Sequence, residues 1–162
     1  MVASGEGERG TIGTASKMSR IVLADDDADF RDYAALVLRG AGYDVVEARD
    51  GASLLECIDF SSYGRDWVAP FDAVVADFRM PGVTGIEVLE ALADAGLAGH
   101  VVLVSGFADP ETLRWADRIG AAAALSKPFS AEQLLQAVHK ATQASPEPAD
   151  PAENRPQGAG DS

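Results

Sequence analysis

The sequence has one cysteine, few basic residues and no long apolar segment. Cys57 has no second cysteine with which to form an internal disulfide or a metal knuckle. No run approaches the roughly 18 apolar residues that a membrane helix needs, and residues 1–19 lack the apolar block of a secretory signal. Disulfide-rich, zinc-finger and membrane-spanning folds are therefore excluded, and a cytoplasmic protein is the default expectation.

Acidic residues outnumber basic residues two to one. The chain has 26 Asp and Glu against 13 Lys and Arg, which gives a formal net charge of −13. A field of this sign repels the phosphate backbone of nucleic acid and the headgroups of anionic lipids. We therefore expect neither direct nucleic-acid binding nor membrane binding.

The length and the local composition predict one folded domain between two disordered ends. At about 150 residues per domain, a chain of 162 residues holds one domain. Residues 1–19 are rich in Gly, Ser and Thr, and residues 144–162 are rich in Pro, Ala and Glu. Such segments cannot bury enough apolar surface to offset the entropy lost on ordering. We expect a domain over residues 20–143, an N-terminal extension before it and a tail after it.

Five short apolar runs alternate with helical patterns, which predicts an α/β fold: a (βα)5 doubly wound parallel sheet with helices on both faces. The predicted strands are Ile21–Ala24, Asp44–Ala48, Ala73–Ala76, Val101–Val104 and Ala122–Leu125. Helical spacing of apolar residues from Phe30 to Ala41 predicts the first helix, and the others are predicted at 51–58, 84–95, 110–119 and 130–142. The segment 59–70 fits no element.

Polar residues follow the predicted strands. Asp25 and Asp26 follow the first strand and Asp77 follows the third. The carboxyl ends of parallel strands meet at one edge of the sheet, where ligands bind in open α/β folds. Carboxylates gathered there repel one another unless a cation lies between them, and oxygen ligands suit Mg²⁺. The sequence therefore predicts a divalent-cation site.

A hydroxyl and an ammonium are expected at the same edge, because Ser105 follows the fourth strand and Lys127 the fifth. These groups suit the oxygens of a transferring phosphoryl group. An aspartate beside Mg²⁺ can act as a nucleophile and become an acyl phosphate. Asp77 is the candidate because it stands alone at its strand end, whereas Asp27 and Asp29 are interpreted as a helix cap and a first-turn charge.

Four segments together resemble the receiver domain of bacterial two-component response regulators, in particular the stand-alone, chemotaxis-regulator-like members. The segments are Ile21–Asp27 (IVLADDD), Asp77–Gly85 (DFRMPGVTG), Val104–Gly106 (VSG) and Ser126–Phe129 (SKPF). The resemblance covers about residues 20–143. It implies a flavodoxin-like strand order and a phosphoprotein that takes a phosphoryl group from a partner histidine kinase.

The resemblance also implies a role for each matching residue at the metal. Asp77 is similar to the phosphoacceptor, Asp26 to a direct Mg²⁺ ligand, and Asp25 to a ligand that usually acts through water. Arg79 is similar to the residue whose backbone carbonyl binds the metal. Because that contact is made by the main chain, an Arg can stand where the family frequently has Asn.

Two further positions match the family and one departs from it. Ser105 resembles the switch hydroxyl that bonds the phosphoryl oxygens, and Lys127 resembles the lysine that pairs with them. Ala124 stands where many members carry the Tyr or Phe whose rotation reports phosphorylation. The usual coupling between the hydroxyl and the aromatic ring is therefore not expected to operate in its ordinary form.

We expect a single-domain response regulator that signals by contact rather than an enzyme. Asp77 would accept a phosphoryl group from a sensor histidine kinase or a phosphotransfer protein, with at most slow self-dephosphorylation, and a downstream protein would be the target. On the fourth helix, Trp115 with Arg114 and Arg118 is our hypothesis for a partner contact. The resemblance leaves both a monomer and a homodimer open.

The sequence leaves two alternative functions to compare with this one. A Mg²⁺-dependent phosphoester hydrolase usually has a second carboxylate two residues after the nucleophile, and Arg79 stands there. An interaction module that keeps the fold and works without phosphorylation is motivated by Ala124. Equal partner binding by the wild type and Asp77→Ala would favour the module.

Overall fold

The computed structural model describes residues 18–58, 71–106 and 110–144. The two predicted disordered ends and the segment 59–70 lie largely or wholly outside these residues. The strands are β1 (Arg20–Ala24), β2 (Asp44–Ala48), β3 (Ala73–Asp77), β4 (Val101–Ser105) and β5 (Ala123–Ser126). The helices are α1 (Ala28–Gly40), α2 (Gly51–Ile58), α3 (Gly85–Asp94), α4 (Pro110–Ile119) and α5 (Ala131–Thr142), and a 3₁₀ turn spans Ala98–His100.

The strands form one parallel sheet in the order β2-β1-β3-β4-β5. This order confirms the predicted doubly wound, flavodoxin-like fold. The direction of strand succession reverses between β1 and β3, which are hydrogen-bonded neighbours. A crevice for ligands is expected at the carboxyl edge of the sheet near this reversal.

The core consists of two apolar clusters, one on each face of the sheet. Alternate residues of β1 point to opposite faces, so Ile21 and Leu23 pack with α1 and α5, while Val22 packs with α2, α3 and α4. Helix residues complete the clusters, for example Leu38 on one face and Leu89 on the other, both fully buried. Burial on both faces explains why the central strands are continuous apolar runs.

Three helices that begin at this carboxyl edge have side-chain caps. Asp27 caps α1, as predicted, by accepting hydrogen bonds from the backbone N–H groups of Asp29 and Phe30. Ser130 caps α5 in a reciprocal pair with Gln133, and Thr84 caps α3 in the same way with Glu87. Such caps satisfy N–H groups that have no partner within the helix.

The boundaries differ from the predicted ones by one or two residues. β3 and β4 include Asp77 and Ser105 as their last residues, because the pairing of the strands continues there: the N–H of Phe78 donates to the carbonyl of Val104 at 2.7 Å. β5 begins one residue later than predicted, at Ala123. Within the described residues, no helix is long and apolar enough to cross a membrane.

Candidate functional site

Three carboxylates lie together at the carboxyl ends of β1 and β3. Each of Asp25, Asp26 and Asp77 offers an oxygen, and these oxygens all lie within 4.8 Å of one another. Asp25 and Asp77 are buried, with 1% and 8% of their surfaces exposed, whereas Asp26 is exposed. The grouping follows from the topology, since β1 and β3 are adjacent and end at the same level.

Lys127 bridges the two buried carboxylates. Its Nζ donates to Oδ2 of Asp25 at 2.8 Å and to Oδ2 of Asp77 at 3.0 Å. Burial alone would lower the pKa of Lys127, but the hydrogen bonds to Asp25 and Asp77 outweigh it and the pKa is raised. The ammonium is therefore held in its charged form between groups that would otherwise repel each other.

Backbone N–H groups hold the other oxygens of the same carboxylates. The N–H of Asp27 donates to Oδ1 of Asp25, and the N–H of Arg79 donates to Oδ1 of Asp77, both at 2.9 Å. Burial still raises the pKa of Asp25, because the hydrogen bonds that it accepts from Lys127 and from the N–H of Asp27 only partly offset this effect, and the charge of Asp77 adds to the rise. The two side chains are thus fixed in orientation from both sides.

Ser105 lies at the same edge, as predicted. It is the last residue of β4, and only 5% of it is exposed. Asp77 pairs with Val104, so Ser105 stands one residue further along the neighbouring strand. The N–H of Lys127 donates to the carbonyl of Ser105 at 2.8 Å, which ties the strand to the loop that carries the lysine.

Two residues of α1 contact the site, although sequence reasoning assigned them no part in it. The ring of Phe30, predicted only as an apolar residue of the first helix, lies beneath the Nζ of Lys127, with 3.9 Å between that atom and the ring centroid. Arg31 donates from Nη1 to the carbonyl of Asp25 at 2.8 Å and pairs with Glu47. Helix side chains tilt towards the N-terminus, so the first turns of α1 lean over the ends of β1 and β2.

The loop after β3 is packed tightly against the site. A Cβ atom on Gly85 would overlap the carbonyl oxygen of Asp77 and would lie 2.9 Å from the Cα of Phe78. Gly82 has a φ of +79°, a left-handed conformation that glycine adopts without strain. Glycine at position 85 therefore lets α3 begin directly beside Asp77.

The donor set fits a hard divalent cation. Mg²⁺ prefers oxygen ligands and is typically held by one or two carboxylates together with water. Asp25, Asp26 and Asp77 supply carboxylate oxygens within reach of one ion. Among the residues that the structure describes, no nitrogen or sulfur ligand belongs to this cluster, which disfavours zinc or copper.

Comparison with known families identifies the domain. Residues 21–139 match the family model of the response regulator receiver domain. The chain belongs to this family. Receiver domains are typically phosphoacceptors in bacterial two-component signalling rather than classical enzymes, and they bind Mg²⁺ at an acidic pocket. Membership confirms the resemblance carried by the four sequence segments.

Individual relatives are identical to this receiver domain at about a third of the aligned residues. It is 32% identical over 123 residues to the response regulator receiver protein CpdR of Brucella abortus, covering 76% of this chain and 96% of CpdR. It is 31% identical over 121 residues to the transcriptional regulatory protein FixJ of Bradyrhizobium diazoefficiens, covering 75% of this chain and 55% of FixJ. The chain therefore spans nearly all of one relative and about half of the other.

A solved structure supports the same fold. The receiver domain of the response regulator NarL from Mycobacterium tuberculosis superimposes with a TM-score of 0.67 at 30% identity, covering 80% of this chain and 99% of that domain.

Proposed function

We propose that the chain is a Mg²⁺-dependent phosphorylation switch in which Asp77 accepts the phosphoryl group. The observation that carries the proposal is the arrangement at Asp77: a buried carboxylate with Lys127 at 3.0 Å and two further carboxylates within ligand distance. A nucleophilic carboxylate, a cation beside it and oxygen ligands for a metal are the groups that phosphoryl transfer to an aspartate needs.

In the proposed reaction, a carboxylate oxygen of Asp77 attacks the phosphorus of a phosphohistidine. The new bond joins that oxygen to phosphorus, and the phosphorus–nitrogen bond breaks with its electron pair passing to the imidazole. The product is an acyl phosphate on Asp77 and a free histidine on the donor. The donor is a sensor histidine kinase or a phosphotransfer protein.

The residues around Asp77 take separate roles in this proposal. Asp25, Asp26, Asp77 and the backbone carbonyl of Arg79 would hold Mg²⁺, which when bound neutralises charge on the carboxylates and the phosphoryl oxygens. The Lys127 ammonium, already beside Asp77, pairs with those oxygens, and the Ser105 hydroxyl donates to them. The N–H of Arg79 keeps Asp77 in orientation from the opposite side.

The output is proposed to be contact with a downstream protein in the cytoplasm. CpdR, of which this chain covers 96%, is named a receiver protein, which supports an output by protein contact. The net charge of −13 argues against direct binding to nucleic acid. The phosphoester hydrolase is not favoured, because Arg79 stands where such an enzyme needs its second carboxylate.

The partner contact is proposed on α4, in agreement with the hypothesis for Trp115. A cavity of about 240 Å³ opens between α3 and α4. Phe78, the residue directly after the proposed acceptor, contributes to its lining, so a change at Asp77 has a short route to this surface. The other residues that line it are Ile86, Glu111, Thr112, Trp115 and Arg118.

Intact-mass measurement after incubation with acetyl phosphate tests the proposal. We expect the wild type to gain one phosphoryl group with Mg²⁺ and none with a chelator, and Asp77→Asn to gain none. Asp50→Asn is the matched control, because Asp50 also follows a strand but accepts from the N–H of Ser53, outside the acidic cluster. Equal labelling of wild type and Asp77→Asn would contradict the proposal.

A further inference from the structure

We propose that the ring of Phe30 positions the Lys127 ammonium for phosphoryl transfer to Asp77, an inference that rests on the function proposed above. The carboxylates of Asp25 and Asp77 fix the distance of the Lys127 ammonium from Asp77, but they contact it on one side only. The Phe30 ring lies on the ammonium as well, with 3.9 Å from its centroid to Nζ. This is well inside the range of a cation–π contact, in which a cation is attracted to the face of an aromatic ring.

The ring is itself held by the loop that carries the lysine. Phe129 meets Phe30 edge to face, with 5.5 Å between ring centroids and 86° between ring planes, a favoured geometry for aromatic pairs. The N–H of Phe30 also donates to the Asp27 side chain that caps α1. The start of α1 and the loop after β5 are thus linked through one ring.

The ring leaves the ammonium available to a phosphoryl group. Lysine has three N–H donors, and two of them are directed to Asp25 and Asp77. A ring face accepts no conventional hydrogen bond and carries no net charge, so it does not compete with phosphoryl oxygens for those donors. The ring does restrict the side chain of Lys127, which is long and flexible and has 21% of its surface exposed. Phe30 therefore acts through Lys127 as a positioning residue.

Phe30→Leu tests this role, because leucine keeps an apolar side chain and removes the π face. We expect the maximal rate of labelling by acetyl phosphate, at saturating Mg²⁺, to fall about three- to tenfold. The Mg²⁺ affinity measured by calorimetry should stay within about twofold, since no metal ligand changes. Phe30→Tyr keeps a ring face and should retain the wild-type rate.

Phe71→Leu is the matched packing control. Phe71 is 4% exposed and belongs to the apolar cluster on the opposite face of the sheet. Its substitution should lower the stability while leaving the maximal labelling rate unchanged. A rate loss in Phe71→Leu equal to that in Phe30→Leu would assign the effect to general loss of packing and overturn the inference.

A double substitution separates positioning from structure. If Phe30 acts through Lys127, then Phe30→Leu should cause no further loss of rate in a Lys127→Ala background. The same fractional loss in both backgrounds, or an unchanged rate in Phe30→Leu alone, would contradict the inference. If the wild type itself gains no phosphoryl group while binding Mg²⁺, the proposed function fails and the positioning role falls with it.

Discussion

The carboxyl edge of β1 and β3 and the face formed by α4 and β5 are built in opposite ways. At the edge, both carboxylate oxygens of Asp25 and of Asp77 accept a hydrogen bond. On the α4–β5 face, the short side chains of Ala121–Ala124 leave a cavity of about 200 Å³, bounded also by Leu113 and Asp117. β3 is buried throughout its length, whereas the residues of β5 are only partly buried or exposed.

The two regions therefore differ in how strictly they constrain their side chains. Charges at the edge must be paired, so removing one partner leaves a buried carboxylate uncompensated. The α4–β5 face holds few large side chains and has room for others. We therefore expect substitutions at the edge to have large effects on the chemistry, and substitutions on the face to have small ones.

The largest effect is expected at Lys127. In Lys127→Met the carboxylates of Asp25 and Asp77 lose their shared cation, and arriving phosphoryl oxygens lose the ammonium donor, so the initial labelling rate should fall about 100-fold or more. Lys140→Met, on the exposed side of α5, is the control and should label at the wild-type rate. A loss of less than about threefold in Lys127→Met would remove the lysine from the reaction.

A loss of stability is expected for Gly85→Ala. The new methyl group would overlap the carbonyl oxygen of Asp77, so α3 or the loop must shift, at a cost of about 1–3 kcal/mol in the free energy of unfolding. Urea denaturation measures this cost. Gly40→Ala is the control, because nothing lies within 4 Å of its Cβ position. Equal stability of the two variants would show that the loop beside Asp77 is not tightly packed.

The smallest effect is expected for Ala124→Tyr on the α4–β5 face. The new side chain can enter the neighbouring cavity, so the free energy of unfolding should change by less than about 1 kcal/mol and the labelling rate by less than about twofold. Ala141→Tyr, at a fully buried position of α5, should instead be destabilised by more than about 1 kcal/mol. Equal destabilisation would show that the face is as closely packed as the core.

Much of the architecture could be predicted from local sequence. Apolar runs, helical spacing and the caps at Asp27 and Ser130 are all encoded within a few residues, and the strand order and the family are confirmed. The grouping of Asp25, Asp26 and Asp77 also followed, because parallel strands end at one edge. The roles of these residues in metal binding and phosphorylation stay predictions.

The contacts of the site could not be predicted in the same way. Phe30 and Lys127 are in contact although they lie far apart in the chain. Helical spacing identifies Phe30 only as an apolar residue of the first helix. The register and packing of distant elements decide which oxygen of Asp77 accepts a hydrogen bond from Lys127. They also decide that a Cβ atom on Gly85 would overlap the carbonyl oxygen of Asp77. No local pattern carries that information.

Mapping the phosphorylated residue tests directly whether Asp77 accepts the phosphoryl group. Borohydride reduces an acyl phosphate to an alcohol, so a phosphorylated aspartate becomes homoserine, which tandem mass spectrometry can locate. After incubation with acetyl phosphate and Mg²⁺, we expect homoserine at position 77 and none when Mg²⁺ is chelated. Homoserine at another aspartate, or Mg²⁺-independent conversion at position 77, would contradict it.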